Sequence, residues 1–474
     1  MSSSRRPRRK SGWAAPREPA AAAPARELRI PLHGSWTLPN GVRLIVVPCR
    51  DVPLVAFCAV LRGGARRDPR GKPGVSALFA GLLGKGAGAR DSFAFADAVE
   101  QSGGSFTAAA GADQIVVSGQ FLAGHQGRML ELLAAALLTP RWSHLELDKL
   151  RARHIELIKA AKDTDPAELL GTYGRAFLFG THPYARPVTG SEESLAAATL
   201  ADIRRYYRSH CGADRLALVF AGDVDAPRLA RAAAKAFGSW RAAASREPRL
   251  PTPRAPRRRR VLLIDWPGAS QSYFWIGGLG VDKRYPRRAA LDLVNMLYGG
   301  RFTSRLVEAL RTRSGLSYEA ASSFWRGAAR GEFAIRSLAP AERTAEALDL
   351  ALSTLTRLKA EGISQELLES TRAYALGQYP LGFETAADWA AAFAELEAYG
   401  LTPAYIDGYE SALRAVTLDD AHRVIAEAFP DPARTTLVLI ADAARVRASL
   451  AAYGPITEMP LGRPSFAPPA ARRR

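Results

Sequence analysis

Cysteine is scarce in this chain. Three cysteines among 474 residues (Cys49, Cys58 and Cys211) exclude a disulfide framework, and no CxxC or Cys/His metal spacing occurs. That usage fits a reducing compartment. Histidine is thin as well. The seven are His33, His125, His144, His154, His182, His210 and His422, and no two stand three or four residues apart. A helix grips a metal on one face with imidazoles at that spacing, so such a pair is excluded. The lone histidines read as surface or hydrogen-bonded residues rather than ligands. No GxSxG elbow and no GxxxxGK[ST] loop is present. GLGVD (Gly278–Asp282) is too short for a dinucleotide fingerprint, and nothing after it completes one. No apolar run approaches the length of a membrane-spanning helix. The basic N-terminus also lacks a continuous apolar core, because Pro16, Arg17, Glu18 and Pro19 interrupt it, so it does not read as a secretory signal. Its Arg/Ser/Ala content loosely resembles an organellar transit peptide. The expected compartment is the bacterial cytoplasm, with the periplasm or an organelle as alternatives.

What the chain has in excess is positive charge, +19 in all. Residues 1–30 hold eight Arg/Lys and two Glu, residues 241–260 eight Arg and one Glu, and residues 461–474 four Arg and no acid. All but two of the surplus charges fall in these three stretches. They read as solvated arms and a linker; the functional alternative is attraction to an acidic partner, a membrane or a nucleic acid. The hydrophobic fraction of 47% is enough for packed cores, and the length calls for more than one domain.

The Pro/Arg-rich stretch 241–259 is the clearest boundary. The halves on either side match each other. VRLIVVP is echoed by RVLLIDWP, LVAFCAVLRGG by SYFWIGGLG, GVSALFAGLLG by ALDLVNMLYGG, and RLALVFAGDV by RTTLVLIADA, at an offset of about 220 residues. The expected layout is a basic tail over 1–30, a first domain over 31–240, the linker over 241–259, a second domain over 260–460 and a basic tail over 461–474. Within the first half, SFAFADAVEQSGG reads as an amphipathic helix ending at a Gly pair. SFTAAAGADQIVVSGQF reads as two strands joined at Gly111–Ala112, and HQGRMLELLAAALL and LELDKLRARHIELIKAAK as helices. The fold class is α+β: two homologous domains, each a mostly antiparallel sheet with helices packed on one face.

LPNGVRLIVVP, HPYARPVTGSEESL (His182–Leu195) and LVNMLYGGRFTSRLVEALRTRSGLSYEAASSF (Leu293–Phe324) occur in that order. Together they resemble the insulinase/mitochondrial-processing-peptidase family of zinc peptidases over nearly all of residues 35–460. In catalytic members the stretch equivalent to GVSALFAGLLGKG carries a His-x-x-Glu-His zinc motif. Here its three ligating or catalytic positions are Ala77, Ala80 and Gly81. The third ligand, a Glu on a later helix, falls on Leu157, with Glu156 beside it. One carboxylate cannot hold zinc without the histidines, so the resemblance implies a member that has lost its metal site and binds no cofactor itself. The family also uses an Arg and a Tyr from the second domain, which match Arg311 and Tyr318 in LRTRSGLSYEA. A guanidinium and a phenol can donate hydrogen bonds to the charge that builds on an attacked carbonyl oxygen. Their structural alternatives are an Arg that satisfies the last carbonyls of a helix and a Tyr that only packs. Upstream, Gly299, Gly300 and Phe302 either let backbone approach a bound peptide or end a helix.

The resemblance implies a non-catalytic subunit of a heterodimeric zinc metallopeptidase, inactive alone. It would supply Arg311 and Tyr318 in trans to a homologous catalytic subunit with an intact His-x-x-Glu-His motif. Zinc is expected in that partner. The substrate is expected to be a peptide or unfolded polypeptide, with no specific nucleic acid. Family members hold substrate as a strand added to a sheet edge. The alternatives are a structural scaffold, as in the core subunits of the respiratory cytochrome bc complex, and a peptide-binding protein acting alone.

Overall fold

The computed structural model describes residues 27–247 and 249–469. Most of the expected N-terminal arm (1–26) and the last five residues (470–474) lie outside the described residues. Among the described residues the β-branched and aliphatic runs make twelve strands in two six-stranded sheets. The first contains β1 (Gly34–Thr37), β2 (Arg43–Pro48), β3 (Leu54–Arg62), β4 (Thr107–Ala110), β5 (Gln114–Leu122) and β6 (Leu216–Gly222). Its spatial order is β1-β2-β6-β3-β5-β4. The second contains β7 (Arg260–Asp265), β8 (Gln271–Leu279), β9 (Ala320–Trp325), β10 (Glu332–Pro340), β11 (Thr436–Ala441) and β12 (Ile456–Pro460), ordered β12-β7-β11-β8-β10-β9. Parallel pairing is confined to β2/β6, β7/β11 and β7/β12. The duplication is visible strand by strand. The exception is the outer strand beside β2 or β7. In the first sheet it precedes the repeat and runs antiparallel; in the second it follows the repeat and runs parallel.

Alternation along each strand gives both sheets two apolar faces. On the first sheet Leu44, Val46, Phe57 and Leu61 face their own domain's helices, including Val75–Leu83 and Gln126–Leu138. Ile45, Val47, Ala56, Cys58 and Val219 face the other way. They are covered by Trp389, Ala390 and Phe393 of the helix Ala386–Tyr399, which belongs to the second half. The second sheet mirrors this. Phe274, Ile276, Phe333 and Leu439 meet its own helices, while Leu262, Ile264, Trp275 and Val438 meet the helix Leu170–Phe179 of the first half. Each domain thus closes the other's sheet. Trp275 is wholly buried and fits a notch at Gly174, where a Cβ would stand 2.7 Å from the indole. Burying an indole of that size is worth roughly 5 kcal/mol gross.

Polar groups pin the same junction. The Arg260 guanidinium donates to the carbonyls of Phe177 and Leu178 at the end of the exchanged helix and lies 4.4 Å from the Phe177 ring centroid. Arg43 forks onto Glu397 at 3.1 and 3.0 Å.

The linker and the start of the C-terminal tail differ from the solvated arms expected of them. The Ala213 N–H donates to the Arg241 carbonyl, the Pro251 carbonyl is 2.9 Å from His182 Nε2, and Arg66 pairs with Glu247. Beyond β12, Leu461 and Phe466 are buried against the first domain. The Phe466 ring centroid lies 4.9 Å from that of Tyr173. Lys162, bonded to Glu192 at 2.5 Å, also donates to the Arg463 carbonyl at 2.7 Å. Two apolar anchors and two backbone carbonyls, those of Arg463 and of Pro464, which accepts from the Glu193 N–H at 3.1 Å, outweigh the tendency of an Arg/Pro-rich segment to stay solvated.

Candidate functional site

The helix Val75–Leu83 begins at Gly74, whose φ of 94° needs glycine and whose Cβ would collide with the Gly190 backbone. No side chain at the cap itself serves this helix start. Asp68, buried, reaches in instead and accepts from the N–H groups of Gly74 and Ser76, both at 2.7 Å. Burial pushes its carboxyl up to about 7, against the opposing pull of those two bonds. Ala77 and Gly81 are half-buried and Ala80 is buried. Against this helix lies the long helix His144–Thr164, capped by Ser143. A Cβ on Gly81 would meet the Leu150 methyls at 3.3 and 3.4 Å, so an isobutyl group occupies the space beside one ligand position. Leu157, two turns beyond Leu150, is 57% exposed, and Glu156 pairs with Lys159 at 2.9 Å on the solvent side. Among the described residues no group of three or more His, Cys, Asp or Glu side chains is placed to hold a metal ion. Alanine and glycine offer no donor where the zinc motif would need one, so zinc does not fit these residues.

The second constellation is built differently. After the helix Arg288–Asn295 the chain widens into a π-helical turn, Met296–Gly300, and a second such turn spans Glu308–Arg313. Turns of this kind are frequent at functional sites. Gly299 is buried inside the first turn. Its Cβ would lie 2.5 Å from the N and Oγ of Ser322 on β9, so its missing side chain makes room for a strand of the same domain. Gly300 is exposed. The second turn carries Arg311, whose guanidinium stands 4.9 Å from the ring centroid of Phe302; that phenyl is 70% exposed.

The chain then reverses at Gly315, with φ of 62°, and is tied down on both sides of Tyr318. The Ser317 N–H donates to the Leu310 carbonyl at 2.9 Å. The hydroxyls of Ser317 and Ser337 both donate to the Glu319 carbonyl at 2.6 Å. Tyr318 stays 67% exposed between these anchors. A fixed backbone under a solvent-facing phenol limits the ordering cost of using it. Tyr318 and Asp165 lie near the half-buried phenol of Tyr273, and burial first, then those two neighbours, push Tyr273 upward.

The sheet edges, which sequence reasoning left unplaced, are β1 and β4 in the first sheet and β12 and β9 in the second. β9 is covered at its middle: Asn295 Nδ2 donates to the Ser322 carbonyl at 3.3 Å, and the Ser322 hydroxyl donates to Asn295 Oδ1 at 2.8 Å. β4 touches the helix Val75–Leu83 and exposes Thr107 and Ala109. The HPYARP segment does structural work. His182 Nδ1 accepts from the Tyr184 N–H at 3.1 Å. The Tyr184 hydroxyl donates to the buried Asp113 carboxylate and accepts from the Ala329 N–H at 3.0 Å. Asp113 also accepts from the Ala328 N–H at 2.9 Å. The first domain thereby grips the β9–β10 turn, whose far end leads back to Tyr318. Asp113 and Asn295 escaped the sequence reading because a buried acceptor has no local signature; only the fold supplies its donors.

The description "Insulinase (Peptidase family M16)" matches residues 53–190, and "Peptidase M16 inactive domain" matches residues 197–374. The chain belongs to peptidase family M16. An uncharacterized zinc protease of Mycobacterium leprae is 25% identical, covering 74% of this chain and 79% of the relative. A Helicobacter pylori protein named non-peptidase homolog YmxG is 24% identical, covering 70% and 77%. Among solved structures, an M16 inactive domain from Pseudomonas fluorescens matches with a TM-score of 0.80 at 22% identity, covering 86% of this chain and 98% of that one. A protease from Helicobacter pylori matches at 0.78 and 22%, covering 86% and 99%. Both show the two-domain M16 fold of this chain. Within that fold Ala77, Ala80 and Gly81 carry no metal donor, and Arg311 and Tyr318 are exposed, Tyr318 between anchored neighbours. Among the described residues no helix is long and apolar enough to cross a membrane.

Proposed function

We propose that this M16 chain is the non-catalytic subunit of a two-chain zinc peptidase and supplies Arg311 and Tyr318 to a composite site. The observation that carries the reading is the asymmetry within one fold. The positions Ala77, Ala80, Gly81 and Leu157 hold no metal donor, while Tyr318 and Arg311 are solvent-facing, Tyr318 on a segment fixed by partly buried hydrogen bonds. A phenol that only packed would be buried, and an Arg that only capped its helix would bond the last carbonyls. Tyr318 is largely exposed, and the aromatic contact of Arg311 is with an exposed ring.

In this reading a homologous subunit with an intact His-x-x-Glu-His motif holds the zinc. An extended peptide lies across Gly300 and Phe302, and the guanidinium and phenol donate to the peptide where negative charge develops. Gly299 acts one layer down, by letting β9 approach. The bacterial cytoplasm is the compartment proposed; Cys58 and Cys211 are buried thiols that stay reduced there.

The test is co-expression with a motif-bearing M16 chain from the same genome. Either chain alone should be inactive, and the pair should copurify and cleave unstructured peptides. Arg311→Ala should leave assembly intact and slow turnover by about a hundredfold, the usual effect of removing one donor to a developing oxyanion. Wild-type turnover by an assembled Arg311→Ala pair would overturn the role of the arginine.

A further inference from the structure

Away from both motif faces, the second domain carries a cavity of about 460 Å³ between the start of the helix Arg288–Asn295 and the helices Ala404–Asp407 and Tyr409–Ala415. Its floor is apolar and small: Ala289, Leu401, Ala404, Ala412 and Val416. Its rim is cationic, with Arg284, Arg287 and Arg288 against one lining acid, Asp420. That carboxylate accepts from the N–H and hydroxyl of Thr417 through one oxygen in a helix cap, and it offsets one of the three positive charges, beside Arg287. The arginines are held but not used up. Arg288 is stacked between Tyr405 and Tyr409, 3.5 and 4.0 Å from the ring centroids. Arg284 donates to the Tyr399 carbonyl, and Arg287 pairs with Glu427 at 3.0 Å. Each guanidinium has five N–H donors, so each retains spare ones. Arginine and tyrosine around a small apolar floor is the make-up of an interface hot spot.

The neighbouring face of the same helices shows what this face would reject. There Asp407 and Glu410 accept from the N–H groups of Ile30 and Leu28 at 2.6 and 3.2 Å, and Arg414 pairs with Glu27. That acidic face receives the end of the chain's own arm, which is rich in arginine. The cavity has the opposite sign and repels such a segment.

We propose that this cavity docks an acidic segment of a partner protein, with its carboxylates on the three arginines and an apolar side chain on the alanine floor. The site is separate from Arg311 and Tyr318, and its occupation does not depend on the peptidase reading.

The test is fluorescence anisotropy on the full chain with labelled peptides that alternate Leu with Asp or Glu, and with counterparts that alternate Leu with Lys or Arg. The acidic peptide should bind about tenfold tighter at low salt and lose several-fold at high salt, as a rim-steered contact does. Arg284→Glu with Arg287→Glu should abolish that preference. Ala412→Phe, at an exposed position, fills the floor without touching a charge and should weaken the acidic peptide about fivefold. Three results would each overturn the proposal: equal affinity for both peptides, an unaltered affinity in Ala412→Phe (charge attraction without a seat), or capture of phosphatidylglycerol vesicles in preference to the acidic peptide.

Discussion

At the residue scale, Gly81 is a place where a neighbouring side chain fills the room a larger residue would need. Leu150 lies over it, and a Cβ there would be tight against two methyl groups at the free end of a flexible side chain. A leucine tip can yield by tenths of an ångström, while alanine gains up to about 1 kcal/mol over glycine inside a helix. Gly81→Ala should therefore be neutral or stabilising by about 0.5 kcal/mol in urea unfolding. Gly81→His needs far more room, must displace Leu150, and should cost about 1–3 kcal/mol as overpacking does.

Asp68 gives a pH signature. Its folded carboxyl, pushed up to about 7, stands above the ordinary 3.8, so the folded chain keeps a proton that the unfolded chain releases. This group's contribution is fully present below the unfolded value and is lost as pH rises through about 7. Asp68→Asn cannot ionise, and its amide leaves one of the Gly74 and Ser76 N–H groups without an acceptor, a cost of about 1–3 kcal/mol. The stability gap between wild type and Asp68→Asn should be widest near the unfolded value and narrow as pH approaches about 7. Urea unfolding of both proteins across that range checks it, and a gap that widens with pH would refute the assignment.

At the scale of elements, the exchanged helix Leu170–Phe179 turns on one glycine. Gly174→Ala would gain helix propensity but drive a methyl to 2.7 Å from a rigid, fully buried indole. The ring cannot yield as a leucine tip can, so the net cost should be about 1–3 kcal/mol. Gly377, in the helix Gln365–Gln378, has nothing within 4 Å of its would-be Cβ. Gly377→Ala should stabilise instead, by up to about 1 kcal/mol. Thermal melts of the two variants should move in opposite directions.

The same elements show what the sequence could and could not tell. The strands were legible because β-branched runs recur at a constant offset, and the two strands joined at Gly111–Ala112 form as read, as β4 and β5. That no two histidines stand three or four residues apart was legible as well, because a missing side chain is a chemical fact at any packing. The exchange of helices was not legible. LLGTYGRAFLFG is apolar enough to belong to any core, and no local pattern says that its partner is Trp275, about a hundred residues away. The docked start of the C-terminal tail differs from its expected solvated state for a related reason, since composition counts its arginines and misses the two anchors, Leu461 and Phe466, that decide its place.

At the scale of the whole molecule, the exchange decides how many folding units there are. The second sheet's rear face, with Leu262, Ile264, Trp275 and Val438, packs against the helix Leu170–Phe179 and its surroundings in the first domain. The first sheet's rear face likewise depends on Trp389 and Phe393 from the second. A half expressed alone would open a buried sheet face to water, and at about 25 cal/mol per Å² a few hundred Å² of new apolar surface is comparable to the whole stability of a domain. Residues 260–460 alone should therefore bind a hydrophobic dye, lack near-ultraviolet circular dichroism and show no cooperative melt, as a loosely packed state does. The full chain should unfold in one transition by every probe. A sharp, dye-free melt of residues 260–460 would mean that the rear face is closed from within its own domain. The helix exchange would then be a late docking step rather than part of the core.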